Sequence, residues 1–270
     1  MLWKAKNSVI HLPEGEMPCA SFGNGIRTLV LLPGLGDGLK SARGMALPLA
    51  WMYRAFAKDF RVLVLSRVIP LKEGATTRDM AAHVAAALAQ LGVEKAAVVG
   101  VSMGGMIAQH LAVDHPQLVE QLVLTVTCPG SNPILEESVT VWSDMARRGD
   151  HRALMVDNGK RIYSDGYLKK YGWMFPLAAL FTKPRSYRQF LIMAEACRTH
   201  DARSGLEKIA VPTLVVGGAR DKCLGGEASR ELAAAIPGAI LKMYREYGHG
   251  AYEEAADFPR TLLEFLKKTT

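Results

Sequence analysis

The sequence predicts an α/β protein, a mostly parallel sheet flanked by helices, and three observations carry that prediction. Short apolar runs alternate with segments of helical period along most of the chain. The stretch Gly100-Val101-Ser102-Met103-Gly104 fits G-x-S-x-G between an apolar run at 96–99 and helically spaced Met106, Ile107 and Leu111. The alternation breaks once, between Cys128 and Gly205, where large side chains replace the β-branched runs.

Taken in order, residues 9–12 and 17–22 read as an opening hairpin, and 27–32 as the first buried strand. Residues 48–58 alternate at helical period, and 60–65 form the next strand. The clearest helix is 76–91, with Met80, Val84, Leu88 and Leu91 on one face. Thr76 or Thr77 can cap its start and Gly92 ends it. The strand before Ser102 and the helix after it follow, stopped near His115-Pro116. Residues 121–126 make another buried strand. From 130 to 205 the chain offers helical stretches rich in large residues, among them Trp142, Met155, Tyr163, Trp173, Phe181 and Phe190. A strand at 211, a helix at 227–236, a strand at 239–244 and a final helix at 252–267 close the pattern. Strands alternating with helices imply parallel pairing through right-handed crossovers.

A strand turning sharply into a helix around a serine is a nucleophile elbow. Glycines on both sides allow a turn too tight for a side chain, and the helix N-terminus lies under any negative charge that forms there. A serine hydroxyl is a poor nucleophile at neutral pH. It needs a base within hydrogen-bond reach, and the base needs an orienting carboxylate. Of the seven histidines, only His249 follows a late strand in a glycine-flanked loop, Tyr247-Gly248-His249-Gly250. Asp221 follows the strand that ends at Gly217-Gly218.

At these residues the chain resembles the α/β-hydrolase superfamily. Residues 28–32 leading into Pro33-Gly34-Leu35-Gly36 look like its oxyanion-loop strand and His-Gly-x-Gly turn, with Pro33 in place of His. The order Ser102, Asp221, His249 is the order of that fold. The resemblance implies an eight-stranded sheet and a helical cap inserted after the sixth strand. The expected division is a core of 1–129 and 206–270 with a cap of 130–205. It also implies Ser102 as nucleophile, His249 as base, Asp221 as acid, and the backbone N–H groups of Leu35 and Met103 as oxyanion hole. Where some relatives place the acid, after the sixth strand, this chain has Thr127-Cys128-Pro129-Gly130 and no carboxylate. The loop at 66–74 lacks the usual Asp and glycine-rich turn. Its Arg67, together with Asp37, is expected to be a solvated loop charge near the entrance.

The expected activity is serine-dependent hydrolysis of a carboxylic ester with small or medium apolar groups. Lactone cleavage and carbon–carbon cleavage use the same residues, and a slow-turnover small-molecule receptor is the reading from another class. Composition sets further bounds. A chain of 270 residues with 49% hydrophobic content supports a large core. The net charge of +7 comes from basic residues scattered among acids, with no nucleic-acid recognition motif. No membrane span and no signal peptide are expected. Cys19, Cys128, Cys197 and Cys223 show no paired spacing and read as reduced thiols of a cytoplasmic protein. Leu39 breaks both the Walker and dinucleotide patterns in the glycine-rich stretch at 34–41. H-E-x-x-H and C-x-x-C are missing, so neither a cofactor nor a catalytic metal is expected.

Overall fold

The structure, a computed structural model, describes residues 2–268. Its eight strands form one sheet in the order β1-β2-β4-β3-β5-β6-β7-β8. β1 (Lys6–Leu12) and β2 (Gly15–Phe22) pair antiparallel, as the expected hairpin, and β2 pairs antiparallel with β4 (Phe60–Leu65). From β4 onward the sheet is parallel through β3 (Arg27–Leu32), β5 (Ala96–Val101), β6 (Val119–Thr125), β7 (Thr213–Gly218) and β8 (Ile240–Tyr244). The strand order reverses between β3 and β5. Open α/β sheets bind ligands in the crevice beyond the carboxyl ends of such a pair. Pro33 and Ser102 stand at those two ends.

The period of two along each strand divides the core. Val30 and Leu32, Leu63 and Leu65, Leu122 and Leu124 face one side, with Met80, Val84 and Leu88 of α2 (Thr77–Gln90) and Ile107 and Leu111 of α3 (Met103–Asp114). Leu29 and Leu31, Val62 and Val64, Val123 face the other, with Ala46 and Ala50 of α1 (Ala46–Met52) and Leu262 and Leu266 of α11 (Phe258–Lys267). Both faces are covered, which is why these strands read as near-continuous apolar runs. The start of α2 is fixed by a capping box. The Thr76 backbone amide donates to Asp79 Oδ2 at 2.8 Å, and the Asp79 amide donates to Thr76 Oγ1 at 3.1 Å.

Two helices differ from their sequence expectation. α1 starts two residues before Pro48, because first-turn amides need no intrahelical acceptor and a proline fits there. It ends at Met52, and Arg54–Phe56 continue as a 3-10 turn. The expected helix 252–267 is two helices, α10 (Ala251–Glu254) and α11, with Ala255 extended between them at φ −77°, ψ 111°. A continuous helix would drive the Pro259 ring into the carbonyl of Ala255, one turn back.

After β6 the chain leaves the sheet for five helices: α4 (Pro133–Arg147), α5 (His151–Ile162), α6 (Asp165–Tyr171), α7 (Met174–Thr182) and α8 (Arg188–Arg198). Asn132, Asp150 and Ser164 accept backbone hydrogen bonds at the starts of α4, α5 and α6. The chain returns to the sheet at β7 and continues through α9 (Ala228–Ala235) to β8. Among the described residues, no helix is long and apolar enough to cross a membrane.

Candidate active site

Ser102 sits at the tip of β5 with φ 54° and ψ −119°, a backbone conformation that side-chain-bearing residues rarely hold. Such strain costs about 1–3 kcal/mol and must be enforced by its surroundings. The enforcement is visible. The Ser102 amide donates to the Thr125 carbonyl at 2.9 Å, and the Ser102 carbonyl accepts from Gly105 at 2.8 Å. A Cβ on Gly104 would stand 1.9 Å from the Leu32 carbonyl oxygen, and one on Gly100 would stand 2.4 Å from that of Gly104. Both glycines are therefore demanded by backbone-to-backbone approach. Val126, just past β6, also has positive φ, at 42°. For a β-branched residue this is a second strained point on the same edge of the sheet, and nothing in the sequence announces it.

Asp221 follows β7 in a turn stitched to the loop after β8. Ala219 donates to the Tyr244 carbonyl at 2.9 Å and Arg220 to that of Tyr247 at 3.0 Å. One Asp221 oxygen, Oδ1, accepts from the amides of Cys223 at 2.7 Å and Leu224 at 3.0 Å. The other, Oδ2, lies 2.8 Å from His249 Nδ1, and both side chains are buried. A carboxylate can only accept, so Nδ1 carries the proton and donates, which leaves Nε2 as the basic nitrogen. Ser102 and His249 line the same cavity. Asp221 and His249 are therefore in contact and Ser102 opens on the same cavity, although 147 positions separate Ser102 from His249 in sequence.

Cys223 adds a third ligand type beside Asp221 and His249, with the ligand atoms within 4.8 Å of one another. The set does not suit a cation. The carboxylate is saturated by two amides and the imidazole, and burial holds the Cys223 thiol well above its ordinary pKa, in its neutral form.

The loop after β3 approaches the serine closely. A methyl group on Gly34 would lie 3.4 Å from Ser102 Cβ and 3.9 Å from Oγ. Leu35 opens a 3-10 turn, Leu35–Gly38, and Met103 opens α3, so neither amide has an intrahelical acceptor. The expectation of a solvated charge is wrong for Arg67, and Asp37 is half-buried and hydrogen-bonded within the protein. Arg67 is 1% exposed and its Nη2 donates to the Pro33 carbonyl. Asp37 accepts from Ser66 Oγ at 2.6 Å and from the Arg67 amide at 2.9 Å. Ser66 Oγ in turn accepts from the Ala42 amide at 2.8 Å. Burial pulls the Arg67 guanidinium down from its usual range and Asp37 opposes that. For Asp37 itself, burial raises the carboxyl while Arg67 and Ser66 pull it back. The pair ties the end of β4 to the loop in which Pro33 replaces a histidine. A sequence cannot show that a loop arginine turns inward.

The cavity has a volume of about 380 Å³. Met45, Leu49, Val64 and Val101 wall one side from α1 and the sheet, and Trp142, Asn158, Ile162 and Tyr163 project from α4, α5 and the turn that follows. Of the many large residues in the helical insert, Trp142, Ile162 and Tyr163 reach the cavity, while Met155, Trp173, Phe181 and Phe190 do not line it. Tyr252 and Glu253 of α10 were not anticipated. They line the cavity too, and Tyr163 donates its hydroxyl to Glu253. Ser164 Oγ donates to the neighbouring Glu254 at 2.5 Å and Gly250 donates to the Ile162 carbonyl at 2.7 Å. The end of α5 is thereby latched onto the loop that carries His249.

Comparison with known proteins bears on the fold and the family. A profile of the alpha/beta hydrolase fold matches residues 27–154. A 2-hydroxy-6-oxononadienedioate/2-hydroxy-6-oxononatrienedioate hydrolase of Pseudomonas putida is 27% identical over 276 residues, 94% of this chain and 94% of its own. A Mycobacterium tuberculosis protein with a non-heme bromoperoxidase name is 30% identical over 204 residues, 72% of this chain and 76% of its own. The solved structure of an enol-lactonase from Burkholderia xenovorans LB400 superposes with a TM-score of 0.81 at 23% identity, covering 96% of this chain and 99% of that one. Other matches bear carbamate-hydrolase and esterase names. With its sheet order, its helical insert after β6 and a relative of this identity and coverage, the chain belongs to the alpha/beta hydrolase fold superfamily.

Proposed function

We propose that the protein is a serine hydrolase that cleaves a carboxylic ester of a small or medium apolar substrate through an acyl-enzyme. One observation carries the reading. A serine held in strained backbone geometry shares a cavity with a histidine whose Nδ1 is tied to a buried, amide-saturated carboxylate. Ser102 Oγ attacks the carbonyl carbon while His249 Nε2 takes its proton. The tetrahedral oxyanion is stabilised by the amides of Leu35 and Met103, each such donor worth about 2.7–4 kcal/mol in transition-state energy. His249 then protonates the leaving alcohol, and water attacks the acyl-enzyme with the same base. Asp221 keeps the imidazole oriented and stabilises its cation. No cofactor takes part. The insert, residues 130–205, acts as a cap over a core of 1–129 and 206–270 and excludes water from the acyl site.

The lining supports a neutral, apolar acyl group over the dioate named for the Pseudomonas relative. A dianion needs buried cations, and among the described residues the one lysine or arginine lining this cavity is the exposed Lys40. Arg67 is close by, but its two terminal nitrogens donate to the carbonyls of Pro33 and Leu65, and it does not line the cavity. Multiple-turnover kinetics on a panel of neutral esters, lactones and a vinylogous diketone dioate test this reading. Neutral esters are expected to give the highest kcat/KM, with a preference for medium over long acyl chains. Faster turnover of the dioate contradicts the substrate assignment, and binding of every class without turnover contradicts the enzyme assignment.

A further inference from the structure

The helical insert carries a surface that neither the fold nor the hydrolytic reading explains. α7 is apolar all round. Its inner face is accounted for. Ala179 is buried, and Phe175 packs so closely on α5 that a Cβ on Gly159 would stand 2.8 Å from its ring. The outer face is not. Trp173 is 66% exposed, Leu180 70% and Phe181 83%, and Met174 and Leu177 lie beside them at helical spacing. A helix that is hydrophobic on every side is ordinarily buried, so this one lacks a partner.

Charge says what kind of partner. Between Asp165 and Glu195 the chain has no acidic residue. Lys169 and Lys170 precede the apolar stretch and Lys183 and Arg185 follow it, all exposed. None of these four is ion-paired with a carboxylate among the described residues, although ion pairs are common elsewhere, including Arg188 with Glu73. Exposed Trp, Leu and Phe flanked by cations make the pattern of a helix lying in the interface of an anionic bilayer. A second copy of the chain fits poorly. An isologous dimer through this face would bring the same four cations of each copy into one interface, where like charges repel.

We propose that the outer face of α7, with Lys169, Lys170, Lys183 and Arg185, docks the protein on an anionic lipid surface. Binding at this face is independent of the hydrolase reading. Its use follows from that reading, because α5, on which α7 rests, supplies Asn158 and Ile162 to the cavity. A protein seated this way draws its apolar ester from the lipid phase next to the helices that roof the site.

Vesicle flotation of the full-length protein tests the proposal. Phosphatidylglycerol-containing vesicles should carry the protein up at low salt, high salt should weaken this, and pure phosphatidylcholine should carry far less. Leu180→Ser/Phe181→Ser should lower partitioning at least about tenfold, since each large side chain contributes roughly a factor of ten when buried. Lys169→Glu/Lys170→Glu should remove the preference for anionic lipid. Both pairs are exposed, so both variants should keep the parental melting temperature and the parental hydrolysis of a short water-soluble ester. Ser102→Ala should float like the parent, which separates failure of docking from failure of the catalytic reading. The proposal is overturned by absence of flotation with either vesicle or by unchanged flotation of the Leu180→Ser/Phe181→Ser protein. A concentration-dependent dimer that this variant dissolves also overturns it, since a second copy would then occupy the face.

Discussion

Arg67 does the most among the residues that the sequence left unexplained. Its guanidinium holds the Pro33 carbonyl one residue before Gly34, and its own backbone amide donates to Asp37 inside the 3-10 turn that begins at Leu35. The loop proposed to hold the oxyanion is thus tied at both ends to the residues that follow β4. Arg67→Met should lower kcat by up to roughly 10²–10³, the size of effect seen when one oxyanion donor is lost, with KM within a few-fold. It also leaves the half-buried Asp37 without the nearby positive charge that favours its ionised form, so the variant should melt lower than the parent. Arg67→Met/Asp37→Asn removes that unpaired charge and should melt higher than Arg67→Met while remaining slow. A double variant with parental kcat would show that the pair serves stability alone. The placement of Ser102, His249 and Asp221 at one end of the sheet could be expected from the sequence, because the proposed chemistry restricts residue type and the chain order restricts position. Arg67 was misjudged because a loop charge is usually solvated, and the carbonyl that attracts it lies 34 residues away in sequence.

At the scale of elements, the strands and the capped α2 could be read closely, since each rests on local periodicity and capping. The break between α10 and α11 was also written in the sequence, at Pro259, but the apolar period ran through it and hid it. The helical insert was legible as helical and not as a surface. Which of its residues face the cavity depends on how five short helices pack, and periodicity does not report that. The structure names Trp142 and Ile162, from α4 and α5. Trp142 is also held by a hydrogen bond from Nε1 to Asp157 at 2.9 Å. Ile162→Ala should change relative kcat/KM between medium and short acyl esters by roughly 10- to 200-fold, with cleavage of a small activated acetate nearly unchanged. An unaltered chain-length profile in this variant and in Trp142→Ala would move specificity to the wall formed by Met45 and Leu49.

For the whole molecule, the sequence implied parallel strands but not their order. The reversal between β3 and β5 that opens the crevice comes from crossover packing of elements far apart in the chain. The same packing buries His200 where the insert rejoins the core. Its Nδ1 lies 2.9 Å from Thr77 Oγ1 and its ring stands edge-on to His110 at 5.2 Å. Burial, aided by His110, pushes its pKa down to about 3. The folded protein therefore keeps this imidazole neutral while the unfolded chain protonates it below its ordinary pKa, near 6.5. Stability should fall as pH drops through 6.5, by about 2 kcal/mol at pH 5 from this group. Melting temperatures at pH 7 and pH 5 should show the loss, and His200→Gln should flatten it; an equal slope in the variant would place the acid sensitivity elsewhere. The central claim concerns the chemistry at the end of β5, and covalent labelling with an organophosphonate ester followed by peptide mass mapping tests it most directly. The account predicts one label per chain, on Ser102, with hydrolysis lost in proportion and no labelling of Ser102→Ala. A label on any other residue, or ester hydrolysis that survives Ser102→Ala, would contradict it.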